Sequence, residues 1–178
     1  MTKKHVENTI TWPVTCFSLG TMISFVNPEH WGTSNVLGVL SGWYNDMEMI
    51  DSTGKIYSVV EIAINPKITL LDRVFSFIVN RNVKVKLLSC KLKSVISLED
   101  FKALVCNQID IEEKETGEWS TRGEPDEIKQ EIMKCSCYKT IMNVVLGPTN
   151  SFLPSVENNN QTSSTNTHPE ADDGQNKE

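Results

Sequence analysis

The chain has 178 residues, a length that favours a single domain. Its net charge is −6, so it lacks the basic character of a nucleic-acid-binding protein. No stretch of the sequence is apolar over the length needed to cross a bilayer, so we expect neither nucleic acid nor a membrane as partner.

Composition divides the chain into three parts. We predict a frayed polar N-terminus over residues 1–8 and a single globular domain over residues 9–147. Residues 148–178 are acidic and rich in Asn, with only three large apolar side chains: Phe152, Leu153 and Val156. So few apolar groups cannot offset the entropy lost on ordering, and this segment is predicted to be a disordered tail.

The N-terminal sequence and the cysteines indicate a reducing compartment. The apolar run before residue 27 is approached through Glu7, Asn8 and Pro13, which is atypical of a secretory signal. The five cysteines are odd in number and irregularly spaced, which favours reduced and mostly buried thiols. We therefore expect a cytoplasmic protein.

The first half of the domain is dominated by strand patterns. Residues 10–26 predict one or two strands. Residues 33–45 place apolar side chains at helical spacing after good N-cap types, and predict a short helix. Residues 47–64 contain two alternating runs around an Asp-x-x-Gly turn, which predicts a β-hairpin.

The second half is predicted to be mainly helical. We predict a helix over residues 69–80, with an apolar stripe of Leu71, Val74, Phe75 and Ile78. A half-buried strand follows over residues 82–88. Two further helices cover residues 97–109 and 125–147, with a polar loop between them.

The order of these elements predicts the fold class. Helices and hairpin strands are mixed without a regular βαβ alternation. The sequence therefore predicts an α+β fold, in which about four helices pack on one face of a small, mainly antiparallel sheet.

The sequence offers little for catalysis or metal binding. It lacks a phosphate-binding loop, a dinucleotide fingerprint and a nucleophile elbow. His30 is the one histidine inside the predicted domain, and Cys135 and Cys137 have no second ligand pair at metal-site spacing. We therefore expect no catalytic residue, no metal and no cofactor.

Five residues stand out as candidates for partner binding. Asp46, Glu48 and Asp51 lie on or beside the predicted hairpin, where they could form an acid–base pair or a solvated rim, with Asp51 bonding its own turn. Trp31 and Trp119 lie in predicted loops, where a tryptophan either anchors an interface or closes the end of a core.

A resemblance to a known group of proteins rests on the succession of these segments. They are an aromatic-rich short helix, the stretch NDMEMIDSTGKIYSV, the strand VKVKLL, the helix SLEDFK and a last helix entered through WSTRGEPDEIK. Over residues 31–147 this succession resembles the immunity proteins encoded beside bacterial polymorphic toxins.

The resemblance implies a non-enzymatic cytoplasmic protein that neutralises a cognate toxin by occluding it. The hairpin would then present its carboxylates on a rigid element. The alternative interpretation is a phage- or plasmid-borne regulatory or structural protein with an acidic tail.

Overall fold

The structure is a computed structural model and describes residues 10–75 and 81–147. Its centre is an antiparallel sheet with the strand order β2-β1-β4-β5-β6-β3. The strands are β1 (Val14–Ser18), β2 (Thr21–Phe25), β3 (Thr33–Asn35), β4 (Glu48–Asp51), β5 (Lys55–Asn65) and β6 (Asn82–Val95). The predicted frayed residues 1–8 and the predicted tail 148–178 lie outside the described residues.

Helices precede, interrupt and follow the strands. They are α1 (Pro28–Trp31), α2 (Val36–Leu40), α3 (Leu70–Phe75), α4 (Leu98–Thr116), α5 (Pro125–Lys134) and α6 (Tyr138–Leu146), with a 3₁₀ helix at Trp119–Thr121. The predicted α+β class is confirmed. The described residues contain six α-helices where the sequence predicts about four.

The sheet is curled, so its two outermost strands approach each other. Ile23 and Phe25 of β2 border the same cavity, of about 400 Å³, as Ser34 of β3. The concave face encloses one apolar cluster, which includes Val14, Cys16, Met49, Tyr57, Val85 and Leu87. The side chains of Trp31 and Val36, from α1 and α2, complete that cluster.

The convex face carries a second apolar cluster, formed with α4, α5 and α6. Ile50 of β4 and Met22 of β2 pack there with helical side chains that include Phe101, Ile132 and Met142. Burying each such side chain contributes roughly 1.5–3 kcal/mol to folding. Apolar packing thus occurs on both faces of the sheet, and the expectation of helices on one face alone is wrong.

The predicted hairpin over residues 47–64 is confirmed as β4 and β5. Its turn reaches Gly54, whose φ of +82° suits glycine. A Cβ at Gly54 would lie 2.6 Å from the ring of Tyr138, and the Tyr138 hydroxyl donates to the Ile96 carbonyl at 2.7 Å. The turn is therefore held against the start of α6.

The short helix predicted over residues 33–45 is only partly correct. Residues 33–35 form β3, which pairs with the start of β6. The helix α2 begins after Asn35, whose side-chain oxygen accepts from the Gly38 amide at 2.7 Å. Residues 33–35, which the sequence pattern assigns to the first helical turn, therefore pair in the sheet instead.

The two C-terminal helices also differ from their predicted limits. α4 continues into the polar loop predicted from Asp110 to Gly123, as far as Thr116, and ends at Gly117, which has a φ of +65°. The helix predicted over residues 125–147 is broken between α5 and α6, where Cys135 and Cys137 have extended backbone conformations. Because Ile109 and Glu112 are buried against neighbouring elements, the longer α4 is favoured by packing.

The apolar stripe predicted for the helix over residues 69–80 is not buried. The side chains of Leu71, Val74 and Phe75 are 68%, 60% and 47% exposed. Ile78 lies outside the described residues. The described helix α3 is instead held to the start of β6 by the ion pair of Asp72 with Arg81.

This ion pair predicts a specific pH dependence. Asp72 accepts from the Arg81 Nε and Nη2 atoms, both at 2.7 Å, and from the Thr69 amide at 2.7 Å. These bonds, that of Arg81 first, hold the pKa of the Asp72 carboxyl well below its usual range. Since the folded-state pKa is the lower one, the pair stabilises the fold above the unfolded-state pKa, and that contribution is lost as the pH falls through the folded value.

A carboxyl NMR titration checks this expectation. We expect a midpoint for Asp72 below the ordinary aspartate value of about 3.9. The substitution Arg81→Gln should move that midpoint upward, whereas Arg73→Gln, on the same helix as Asp72, should leave it nearly unchanged. An ordinary midpoint in the unsubstituted protein would show that the pair does not form in solution.

Candidate functional site

Asp51 is an interior residue in the structure. Its side chain is fully buried at the end of β4. Its Oδ1 atom accepts from the Thr53 amide at 2.9 Å, the Thr53 hydroxyl at 2.6 Å and the Lys55 amide at 3.1 Å. Asp51 therefore organises the hairpin turn, and its expected role as an exposed contact residue is corrected.

A second group of bonds connects Asp51 to other parts of the fold. Its Oδ2 atom accepts from the Thr11 amide at 3.3 Å and from the Tyr57 hydroxyl at 3.4 Å. Burial, and then the nearby Asp51 charge, raises the pKa of Tyr57 to about 12. This carboxylate thus joins the N-terminal segment to the hairpin.

Both candidate tryptophans are interior as well. Trp31 is 3% exposed and meets Tyr44 edge-to-face, with ring centroids 5.2 Å apart. Trp119 is 1% exposed, and its indole nitrogen donates to Glu112 Oε2 at 2.7 Å. Neither side chain is available as a surface anchor, so each closes the end of an apolar cluster.

Only Asp46 and Glu48 of the five candidates remain at the surface. Asp46 is exposed in the loop before β4, with a φ of +55°. Glu48 is partly exposed and forms an ion pair with Lys93 of β6. The hairpin therefore does not present the cluster of three carboxylates that the sequence predicts.

The helical layer carries the acidic surface that sequence reasoning missed. Residues 98–147 contain eleven Asp and Glu against six Lys and Arg, a net charge of −5. The other described residues contain six Asp and Glu against eight Lys and Arg, a net charge of +2. The sequence contains this difference in charge, which becomes apparent when residues 98–147 are counted separately from the residues before them.

A groove runs over this acidic layer between the 3₁₀ helix, α5 and α6. Its volume is about 650 Å³. Ile128 and Val144 line it over the almost fully buried Trp119, together with Glu131 and Arg122. An apolar surface with few charged groups, inside an acidic layer, suits a side chain that is both apolar and cationic.

A chain of polar contacts fixes one wall of this groove. The Arg122 guanidinium lies 4.6 Å from the centre of the Trp119 ring. It also donates to the Val145 carbonyl at 3.0 Å and to Glu118 at 2.5 Å. Since Arg122 is engaged on three sides, Glu131 is left as the charged group of the groove best placed for a partner.

The thiols differ in burial. Cys16 is fully buried, and burial raises its pKa. Cys135 is partly buried beside the groove, while Cys137 is exposed at the start of α6. A hydrogen bond with the Thr140 hydroxyl is the main cause that lowers the pKa of Cys137.

Two features that the described residues lack bear on the class of site. No group of three or more His, Cys, Asp or Glu side chains in residues 10–75 and 81–147 could hold a metal ion. None of the helices in those residues is both long and apolar enough to cross a membrane.

Compared with family models, curated proteins and solved structures, the chain matches none of them.

Proposed function

We propose that this protein is a non-enzymatic binding protein that neutralises a basic partner, in the manner of a toxin-immunity protein. The observation that carries the proposal is the net charge of −5 on residues 98–147, around a groove of about 650 Å³. A surface of one sign accelerates association with a partner of the opposite sign and disfavours wrong partners.

The carboxylates of this layer support a basic partner in particular. Glu115, Glu124 and Glu127 are exposed, and within the described part of the chain they form no ion pair of 4.0 Å or less. Asp110 and Asp126, in contrast, share Lys129. An arriving Lys or Arg would thus meet carboxylates that are not already neutralised.

The proposed partner is a cytoplasmically acting toxin with a basic active-site cleft. The helical layer would cover that cleft, and a cationic side chain of the toxin would enter the groove beside Glu131. This placement replaces the hairpin as the contact surface, because the hairpin retains only Asp46 and Glu48 at the surface.

A growth-rescue assay tests both the function and the surface. The full chain is co-expressed with a candidate toxin from an adjacent open reading frame, and survival is scored. We expect rescue by the unsubstituted protein and reduced rescue by the pair Glu127→Gln and Glu131→Gln. The matched control is the pair Asp46→Asn and Glu48→Gln, which changes the net charge equally.

The results distinguish an error in the proposed function from an error in the proposed contact surface. Failure of the unsubstituted protein to rescue growth would overturn the neutralising function. Rescue lost with the hairpin pair but kept with the helical pair would retain the function and move the contact surface to the hairpin. A thermal melt of each variant confirms that it is folded.

A further inference from the structure

The two edges of the curled sheet differ in how far other parts of the chain cover them. At the β2 edge, Glu112 of α4 accepts from the Met22 amide at 2.5 Å and Gln108 donates to the Gly20 carbonyl at 2.5 Å. Side chains of α4 thus bond the Met22 amide of this edge and the carbonyl just before the strand. Covering an edge in this way hinders its pairing with another strand.

The outer edge of β6 has no such cover over most of its length. β3 pairs only with Asn82, Val83 and Lys84, and the Val85 amide then donates to the Gly32 carbonyl at 2.8 Å. From Leu88 to Val95, no strand or side chain in the described part of the chain bonds this edge. The open edge spans eight residues, about 27 Å at the usual rise of a strand.

Apolar side chains of the ribbon formed by β5 and β6 are exposed. Leu92 and Val95 of β6 are 52% and 66% exposed, and Val60 of β5 is 65% exposed. Val60 lies at an irregularity in the pairing of β5 with β6. An added strand would cover part of this apolar area, which water otherwise contacts.

The charge of the β5–β6 ribbon determines which kind of partner strand is favoured at the open edge. β5 and β6 together carry five lysines against one carboxylate, Glu61. Lys93 is paired with Glu48 of β4, whereas Lys86 and Lys91 form no ion pair with another described residue. Opposite charges on adjacent strands stabilise pairing, so a partner strand rich in Asp or Glu is favoured.

A second copy of this chain is a poorer occupant. In antiparallel self-pairing about a two-fold axis at Leu92, Lys91 of one copy would lie opposite Lys93 of the other. An axis at Lys91 or at Lys93 would place that lysine opposite itself. Like charges directly opposite each other destabilise strand pairing, so the lysines disfavour self-association in these registers. In every other register a second β6 still has no carboxylate to place opposite them.

We propose that the outer edge of β6 from Leu88 to Val95 binds an extended acidic segment of a partner protein by strand addition. Backbone hydrogen bonds to the open edge supply the binding, and Lys86 and Lys91 select for carboxylates. This site is separate from the helical layer, which takes a basic surface, so it stands or falls independently of the neutralising function.

A defined peptide tests the proposal on the full chain. The probe is an eight-residue peptide of alternating Val and Glu with blocked ends, and the control peptide alternates Val and Lys. We expect the acidic peptide to slow amide hydrogen exchange within residues 88–95, because strand addition bonds the outward amides. We expect the basic peptide to leave the exchange of those amides unchanged.

Charge variants supply the second readout. Lys91→Glu should weaken binding of the acidic peptide by about fivefold in Kd. Lys134→Glu, which changes the net charge equally on α5, should leave the Kd within twofold. If Lys91→Glu fails to fold, Lys91→Gln is measured instead, with a smaller loss expected.

Three results would overturn the proposal. The first is unchanged exchange within residues 88–95 at saturating acidic peptide. The second is an equal loss of affinity in Lys91→Glu and Lys134→Glu, which indicates attraction by net charge alone. The third is full protection of these amides in the protein without peptide, which would mean that another part of the chain already covers the edge.

Discussion

The substitution Asp51→Ala should lower the free energy of unfolding by about 3 kcal/mol or more. It would leave the amides of Thr53, Lys55 and Thr11, whose bonds to the fully buried Asp51 side chain are part-buried, without their acceptor. A buried donor that loses its partner costs about 1–3 kcal/mol, and a part-buried donor costs less, so the loss is the sum over the three. Urea unfolding followed by circular dichroism measures the change.

Two further variants separate the lost bonds from other effects. Asp51→Asn keeps one oxygen for the Thr53 and Lys55 amides but replaces the oxygen that serves Thr11, so we expect roughly half the loss. Asp46→Asn removes a nearby exposed carboxylate and should change stability by less than about 0.5 kcal/mol. Equal stability of the Asp51→Ala and Asp46→Asn variants would contradict the buried position of Asp51.

The substitution Glu112→Ala should be similarly damaging, by about 3 kcal/mol. Glu112 is 4% exposed and accepts from the Met22 amide, the Trp119 indole nitrogen and the Gln108 side chain. Its removal leaves the first two donors buried without an acceptor. Because Glu112 joins α4 to β2 and to the 3₁₀ helix, both connections should weaken together.

The indole N–H resonance of Trp119 reports on this loss directly. In Glu112→Ala it should move toward the position seen for an unfolded chain. The matched control is Glu115→Ala, which removes an exposed glutamate one turn along α4 and should cost less than about 0.5 kcal/mol. A Trp119 resonance that does not move would argue against the bond to Glu112.

These two carboxylates also change the interpretation of the acidic residues. Asp51 and Glu112 are buried and each joins separate elements, so they belong to the fold. Under the proposed function, the carboxylates that a partner would meet are those exposed along α4 and α5, whereas the hairpin keeps only Asp46 and Glu48 at the surface. A binding experiment should therefore address Glu127 and Glu131 before the hairpin.

Local sequence patterns determined much of the architecture. Alternation and an Asp-x-x-Gly turn were sufficient to predict the β4–β5 hairpin, because a turn and two adjacent strands are local in the chain. The α+β class followed from the order of the elements. The capping residue Ser97 also marked the start of α4, where its side chain accepts from the Asp100 amide at 3.1 Å.

Packing between separate parts of the chain determined the burial and the strand pairing that local patterns did not predict. In the sequence, Asp51, Trp31 and Trp119 have the pattern of loop or turn residues. Asp51 is bonded to Thr11, 40 positions away, and Trp31 to Tyr44, 13 positions away. Trp119 is bonded to Glu112 of α4. The pairing of residues 33–35 with β6, about 50 positions later, likewise overrode their preference for starting a helix.

The same division holds for the candidate sites. The sequence by itself determined the number and sign of the charges. The tertiary structure placed those charges on two separate surfaces, an acidic helical layer and a lysine-rich β5–β6 ribbon. The helices α4, α5 and α6 pack on the convex face, while β3 pairs with only the first residues of β6. Among the described residues the outer edge of β6 therefore stays open from Leu88 to Val95.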